Sequence, residues 1–180
     1  MAETVAHFPS PAGGLQFKPP VAISAAHDVS GFSCRKEPLN EWLKKHAVKN
    51  EIGGVSRTYV VEHAGRVVSY YSLAAGGIGR ETMPTKLRRD TPPIVPVVVL
   101  GRLATDRLFE GRGLGSDMLS EAVSRLLTAA NEIGVRALLV HAIDDEAVGF
   151  YRKYGLVPTP IGDRTLLLPV KTARQALLAK

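Results

Sequence analysis

The sequence predicts an α/β (α+β) domain built on a mixed sheet, and three observations carry that prediction. The 180 residues are 45% hydrophobic and 22% charged, an ordinary globular composition at a length that suits one domain with a full core. Runs rich in β-branched and aromatic residues alternate with segments whose apolar residues recur at helical spacing. A long apolar run, "IVPVVVLGRLATD", also leads through "EGRGLG" into a long helical pattern, the strand–turn–helix order of α/β architectures.

Each element can be justified in chain order. The opening "MAETVAHFPSPAGGLQFKPP" is rich in Pro and Gly and reads as a flexible tail over residues 1–20, before a single domain over 21–180. It has no basic start followed by an apolar block, so no signal peptide is expected. In "EPLNEWLKKHAVKNE", Pro38 suits a first helical turn, and Leu39, Trp42, Leu43 and Ala47 share one face. "RTYVVEHAGRVVSYYSLAA" reads as a hairpin turned at Ala64, Gly65 and Arg66. "GGIGRETMPTKLRRDTPP" reads as a polar connection. The continuous apolar character of "IVPVVVLGRLATD" predicts a strand covered on both faces.

A helix over residues 113–132 follows, with Leu114, Met118, Ala122, Leu126 and Ala130 on one face. "RALLVHAI" reads as a buried strand. Asp144 or Asp145 can cap the short helix in "DEAVGFYRKYG", which Gly155 ends. "RTLLLPV" is a last strand and "KTARQALLAK" a terminal helix.

Composition also narrows the function classes. Cys34 is the one cysteine, so no internal disulfide forms, and no Cys/His set has zinc spacing, so no metal is expected. A reducing, cytoplasmic setting fits, and no apolar run approaches the roughly 20 residues that span a bilayer. The formal net charge of +6 suits nucleic acid, acidic proteins or an anionic cofactor, and equally a solvated basic surface.

The glycine turn is the motif that carries chemistry. A dinucleotide fingerprint would need glycine where Ser116 stands, and a nucleotide P-loop would need Gly-Lys-Ser/Thr, which is absent. Gly111, Gly113 and Gly115 still let a phosphate approach the backbone at a helix N-terminus, with Arg112 adding charge. A tight strand–helix turn that binds nothing uses glycine in the same way.

Tyr151 holds its proton at neutral pH, because a phenol titrates near 10, and so suits an acid better than a base. From pattern alone, Phe150, Tyr151 and Tyr154 fit the core of a short amphipathic helix just as well. His27, His46, His63 and His141 lie in different elements, and His141 reads as a satisfied strand residue.

The segment Glu110-Gly111-Arg112-Gly113-Leu114-Gly115 resembles motif A of the GNAT acetyltransferases, Q/R-x-x-G-x-G/A, which cradles the pyrophosphate of acetyl-coenzyme A. Glu110 departs from that motif, since a carboxylate is unwelcome near pyrophosphate unless it points away. "GVSRTYVVEHAGRVVSYYSLAAGGI", "KLRRDTPPIVPVVVLGRLATD", "GFYRKYGLVPTP" and "RTLLLPVK" are similar, in the same order, to one GNAT subgroup. This subgroup comprises the toxins of type II toxin–antitoxin modules that acetylate the amino group of aminoacyl-tRNA and block translation. The resemblance runs over residues 21–178 and implies the GNAT fold, a mixed, mostly antiparallel central sheet flanked by helices.

The same resemblance implies acetyl-CoA as cofactor and aminoacyl-tRNA as substrate. It also implies a neutralising ribbon-helix-helix antitoxin, operator DNA bound through the complex, and a homodimer. Tyr151 would be the general acid. Leu103, Ala104 and Thr105 would hold the pantetheine arm through backbone groups, and Gly111, Arg112, Gly113, Leu114, Gly115 and Ser116 the pyrophosphate. Lys36, Arg57, Lys86, Arg88, Arg89 and Arg102 are the candidates for tRNA phosphates; "KLRR" alone also fits a solvated loop. No general base stands out. An α-amino group titrates near 7.7–8.0, and an adjacent ester lowers that further, so water can take its proton. The alternatives are acetylation of a small amine or a protein amine, and a non-catalytic acetyl-CoA-binding sensor or corepressor.

Overall fold

The computed structural model describes residues 17–178, so most of the expected tail, residues 1–16, lies outside the described residues. The elements in order are β1 (Val21–Ala22), α1 (Glu37–Lys45), α2 (Ala47–Ile52), β2 (Arg57–His63), β3 (Arg66–Gly79), β4 (Ile94–Thr105), α3 (Leu114–Glu132), β5 (Ala137–His141), α4 (Asp145–Lys153), β6 (Val157–Thr159), β7 (Gly162–Pro169) and α5 (Val170–Leu178). They build a seven-stranded sheet of order β1-β2-β3-β4-β5-β7-β6. Its β4–β5 pair is parallel, and the β1–β2, β2–β3, β5–β7 and β6–β7 pairs are antiparallel. The expected mixed, mostly antiparallel sheet is therefore present. The described residues divide into two compact units, one of residues 17–74 with 101–122, the other of residues 75–100 with 123–178.

In the first unit, β2 and β3 pair with Val60 opposite Tyr70. Their turn puts Ala64 at φ 50° and Gly65 at φ 77°, the paired left-handed conformation that matches the twist of a tight hairpin. Ile23, Phe32, Trp42, Leu43, Val60, Tyr70 and Ala104 form its core. The single helix expected after Pro38 is two, because His46, at φ −124° and ψ −28°, leaves helical geometry. Trp42 and Leu43 are buried from α1 and Ala47 from α2.

In the second unit, Met83, Val95, Val97, Ala137, Leu139 and Leu167 form the core. Three expectations change here. β3 continues to Gly79, where a connection was expected from residue 76. A Cβ on Gly76 would lie 2.7 Å from Val99 Cγ2, and one on Gly77 2.9 Å from Ile94 Cγ2, so these glycines serve close packing within a strand. The first half of β4 is not covered on both faces: Ile94 and Pro96 are exposed while Val95 and Val97 are buried. β6 was not foreseen; it is a short edge strand containing Pro158, a place where a missing N–H is tolerated. Along α3, Leu114, Met118, Ala122 and Leu126 are buried at the predicted spacing.

Candidate active site

The first unit holds the end of β4 and the glycine turn. β4 pairs with β5 as far as Leu100 and then runs on through Leu103, Ala104 and Thr105. Ser69 Oγ donates to the Ala104 carbonyl (3.0 Å) and lies 3.0 Å from Thr105 Oγ1, so this pair of residues is fixed from β3. Ser69 carried no motif, and only its place opposite the strand end reveals it.

Asp106, 1% exposed, stops the strand. Its carboxylate accepts the Ser33 N–H and the Leu108 N–H, both at 3.0 Å, and its own N–H donates to the Val68 carbonyl. An aspartate accepting the N–H two residues on is a common turn device, and that was its one signal in the sequence. A single 3-10 turn, Arg107–Phe109, then leads to the glycines.

Gly111 and Gly113 sit at φ 72° and 81°, conformations that cost an L side chain about 1–2 kcal/mol. Among the described residues, chain neighbours aside, no atom lies within 4 Å of where a Gly111 Cβ would be, and Ser116 Oγ, at 3.9 Å, is the one near Gly113. The described residues therefore leave the space above the turn open. The Gly113 carbonyl accepts the Asp117 N–H (3.0 Å) and the Ser116 hydroxyl (2.7 Å). The N–H groups of Leu114, Gly115 and Ser116 thus belong to the first turn of α3, where no helical carbonyl can receive them. Outward-facing donors, an open concave backbone and the positive end of a 19-residue helix fit a pyrophosphate. The Arg112 guanidinium lies 5.4 Å from the centre of the Phe109 ring, and Arg66 lies 5.6 Å from it. Arg66 also approaches Asp106 at 3.6 Å.

Glu110, the departure from the motif, is ion-paired with Arg35 at 2.8 Å. Its carboxylate is turned toward the loop that enters α1.

The second unit holds Tyr151 on α4. Asp144 caps that helix by accepting the Ala147 N–H (2.9 Å), and Gly155, at φ 85°, ends it. Both features match expectation. Tyr151 is 7% exposed, packs edge-on to Phe150, and its hydroxyl is hydrogen-bonded to nothing among the described residues. Burial pushes its phenol above the ordinary tyrosine value. His141 meets Thr165 Oγ1 at 3.1 Å, the satisfied strand residue expected. Among the described residues no group of His, Cys, Asp and Glu could hold a metal, and no helix is long and apolar enough to cross a membrane.

The basic candidates fall in both units. In the first, Lys36 precedes α1, Arg57 pairs with Glu51 at 2.9 Å, and Arg102 lies over Trp42 at 4.6 Å. In the second, Lys86 and Arg89 are exposed, with Arg89 3.6 Å from Asp90. Arg88 donates to the Met83 and Glu81 carbonyls through Nε and Nη2 (2.8 Å each), bracing the connection between β3 and β4.

No protein-family model matches the chain. It is 43% identical over 158 residues to the tRNA-acetylating toxin of Mycobacterium tuberculosis, across 88% of this chain and 95% of that one. The structure of AtaT complexed with acetyl-methionyl-tRNAfMet superposes with a TM-score of 0.80 at 29% identity, covering 87% of this chain and 94% of that one. A Tyr-to-Phe variant of AtaT bound to the C-terminus of the antitoxin AtaR and to acetyl-CoA superposes at 0.77 and 25% identity, covering 90% and 98%. Identity at that level along almost the whole of both chains, on a shared fold, means that this chain belongs to the family of tRNA-acetylating toxins.

Proposed function

We propose that this protein transfers the acetyl group of acetyl-CoA to the α-amino group of aminoacyl-tRNA, blocks translation in the cytoplasm by doing so, and is held silent by an antitoxin. The observation that carries the proposal is the open glycine turn at the head of α3, within a chain 43% identical to a tRNA-acetylating toxin. In the finer reading the antitoxin is a ribbon-helix-helix protein that grips operator DNA, and the toxin acts as a homodimer.

Acetyl-CoA supplies an activated acetyl thioester. The N–H groups of Leu114, Gly115 and Ser116, with Arg112, bind its pyrophosphate. The backbone of residues 103–105 holds the arm that leads to the thioester, in the manner of an added strand, and an N–H there polarises the carbonyl. The amine forms the new C–N bond, the C–S bond breaks, and the departing sulfur needs a proton.

Tyr151 is the donor in this reading, because its hydroxyl is spoken for by no group among the described residues. Burial disfavours the phenolate, so complete transfer to sulfur is unfavourable unless the phenol regains a proton at once. The attacking amine sheds a proton in the same reaction, and water can carry it. The tyrosine therefore serves as a hydrogen-bonding acid whose proton is replaced rather than as a reservoir.

Labelled acetyl-CoA and total charged tRNA, with wild type beside Tyr151→Phe, test the proposal. Label on tRNA with wild type and a large loss in the variant is the expected result. Label on small amines alone overturns the substrate, and undiminished transfer by Tyr151→Phe overturns the acid.

A further inference from the structure

The carboxylate of Glu110 stands at the first position of the phosphate-binding motif, where it would repel the group the turn is built to receive. We infer that Arg35 is a positioning residue for cofactor binding: it cancels the Glu110 charge and draws that carboxylate toward the loop before α1. The inference rests on the reading of the turn as the pyrophosphate site.

The pair is not an incidental meeting of two long side chains. The loop that carries Arg35 is fastened to the segment that carries Glu110 by two hydrogen bonds of the Ser33 backbone. The Ser33 N–H donates to Asp106 Oδ2 (3.0 Å), and the Arg107 N–H donates to the Ser33 carbonyl (3.0 Å). Asp106 is buried, so its side of this clasp lies inside the fold. Cys34 continues the loop inward, its N–H donating to Asn40 Oδ1 at 2.7 Å and its side chain buried in the core. Arg35 is thereby placed opposite Glu110 by the two residues just before it, and the ion pair at 2.8 Å completes the set.

The energetics explain why such a pair matters although it is exposed. Arg35 and Glu110 side chains are 68% and 31% exposed, and a pair of that kind adds little to folding stability. Its effect on an incoming dianion is different. Removing Arg35 leaves a bare carboxylate at the mouth of the turn, and free to swing over it, so the cofactor meets like charge. Effects of this size are screened by salt, since the Debye length is about 10 Å at 0.1 M.

The test is binding of coenzyme A itself, measured by titration calorimetry on the full chain without acetyl transfer. Arg35→Ala is expected to raise the dissociation constant about fivefold at low salt, with the deficit shrinking at higher salt. Glu110→Gln in the same chain is expected to restore wild-type affinity, and Arg35→Lys to retain most of it. A deficit that Glu110→Gln leaves in place overturns the inference, because Arg35 would then act on the ligand or the fold directly. Unchanged affinity in Arg35→Ala overturns it as well. Gly113→Val separates the premise: coenzyme A binding unaffected by that change would mean that the turn is not the pyrophosphate site, and both readings would fall together.

Discussion

Tyr70 and Tyr151 make an instructive pair, one in each unit of the molecule. Tyr70 is wholly buried and Tyr151 is 7% exposed, and burial raises both phenols above the ordinary value, with the Cys34 side chain adding to the rise for Tyr70 and Arg102 opposing it. Their hydroxyls differ. Tyr70 donates to the Leu39 carbonyl at 2.8 Å while its ring lies between Trp42 and Phe32, so every part of the side chain is committed to holding α1 against β3. Tyr151 has its ring packed and its hydroxyl uncommitted. No group among the described residues competes for the Tyr151 hydroxyl, whereas the Leu39 carbonyl takes that of Tyr70. Burial and a raised pKa are therefore common to both tyrosines, and what separates them is the partner of the hydroxyl.

The comparison is broken or sharpened most strongly by exchanging each tyrosine for phenylalanine. Tyr151→Phe should lower the single-turnover rate of acetyl transfer to charged tRNA by about 10²- to 10⁴-fold, the usual worth of a positioned acid, and should leave the melting temperature unchanged or slightly raised. Tyr70→Phe should keep the rate within about twofold of wild type and lose about 1 kcal/mol of stability in urea, the net value of one hydrogen bond. A large rate loss in Tyr70→Phe with full stability would end the distinction drawn here.

A smaller effect belongs to the turn. Gly113→Ala adds a methyl group that meets no clash, so its one penalty is the left-handed backbone at φ 81°. That penalty of about 1–2 kcal/mol should appear as a roughly 5- to 30-fold weaker affinity for coenzyme A if the turn relaxes to a conformation that no longer presents its N–H groups. The rate with saturating acetyl-CoA should fall far less, which sets this variant apart from Tyr151→Phe.

Much of this was legible in the sequence where one local rule acted alone. The hairpin turn, the Asp144 cap, the Gly155 stop and the buried stripe of α3 follow from spacing and turn chemistry, and the structure contains each of them. What the sequence hid depended on partners distant along the chain. Gly76 and Gly77 look like loop residues until Val99 and Ile94 are seen against them. The hold of Arg88 on the backbone of Glu81 and Met83 has no signal in the sequence either. Glu110 departs from its motif, and its ion-pair partner, Arg35, stands 75 positions earlier. The distinction between Tyr70 and Tyr151 was equally invisible, since no periodicity tells which hydroxyl finds a carbonyl.

The smallest expected effect treats the two tyrosines alike and so checks that burial is common to them. A phenol ionises near pH 10 in the unfolded chain, while in the folded protein both hydroxyls hold their protons to higher pH. Below about pH 9 both states carry the proton and stability does not depend on these groups. Above it the unfolded chain loses the proton and the folded one keeps it, so stability falls as pH rises, by about 0.4 kcal/mol per tyrosine at pH 10 and more steeply beyond. Urea unfolding between pH 8.5 and 10.5 should show each Phe variant with a shallower alkaline decline than wild type, by similar amounts. If Tyr151→Phe alone left the decline untouched, its phenol would be titrating as it does in water, and the hydroxyl proposed to sit ready for the departing sulfur would be a solvated one.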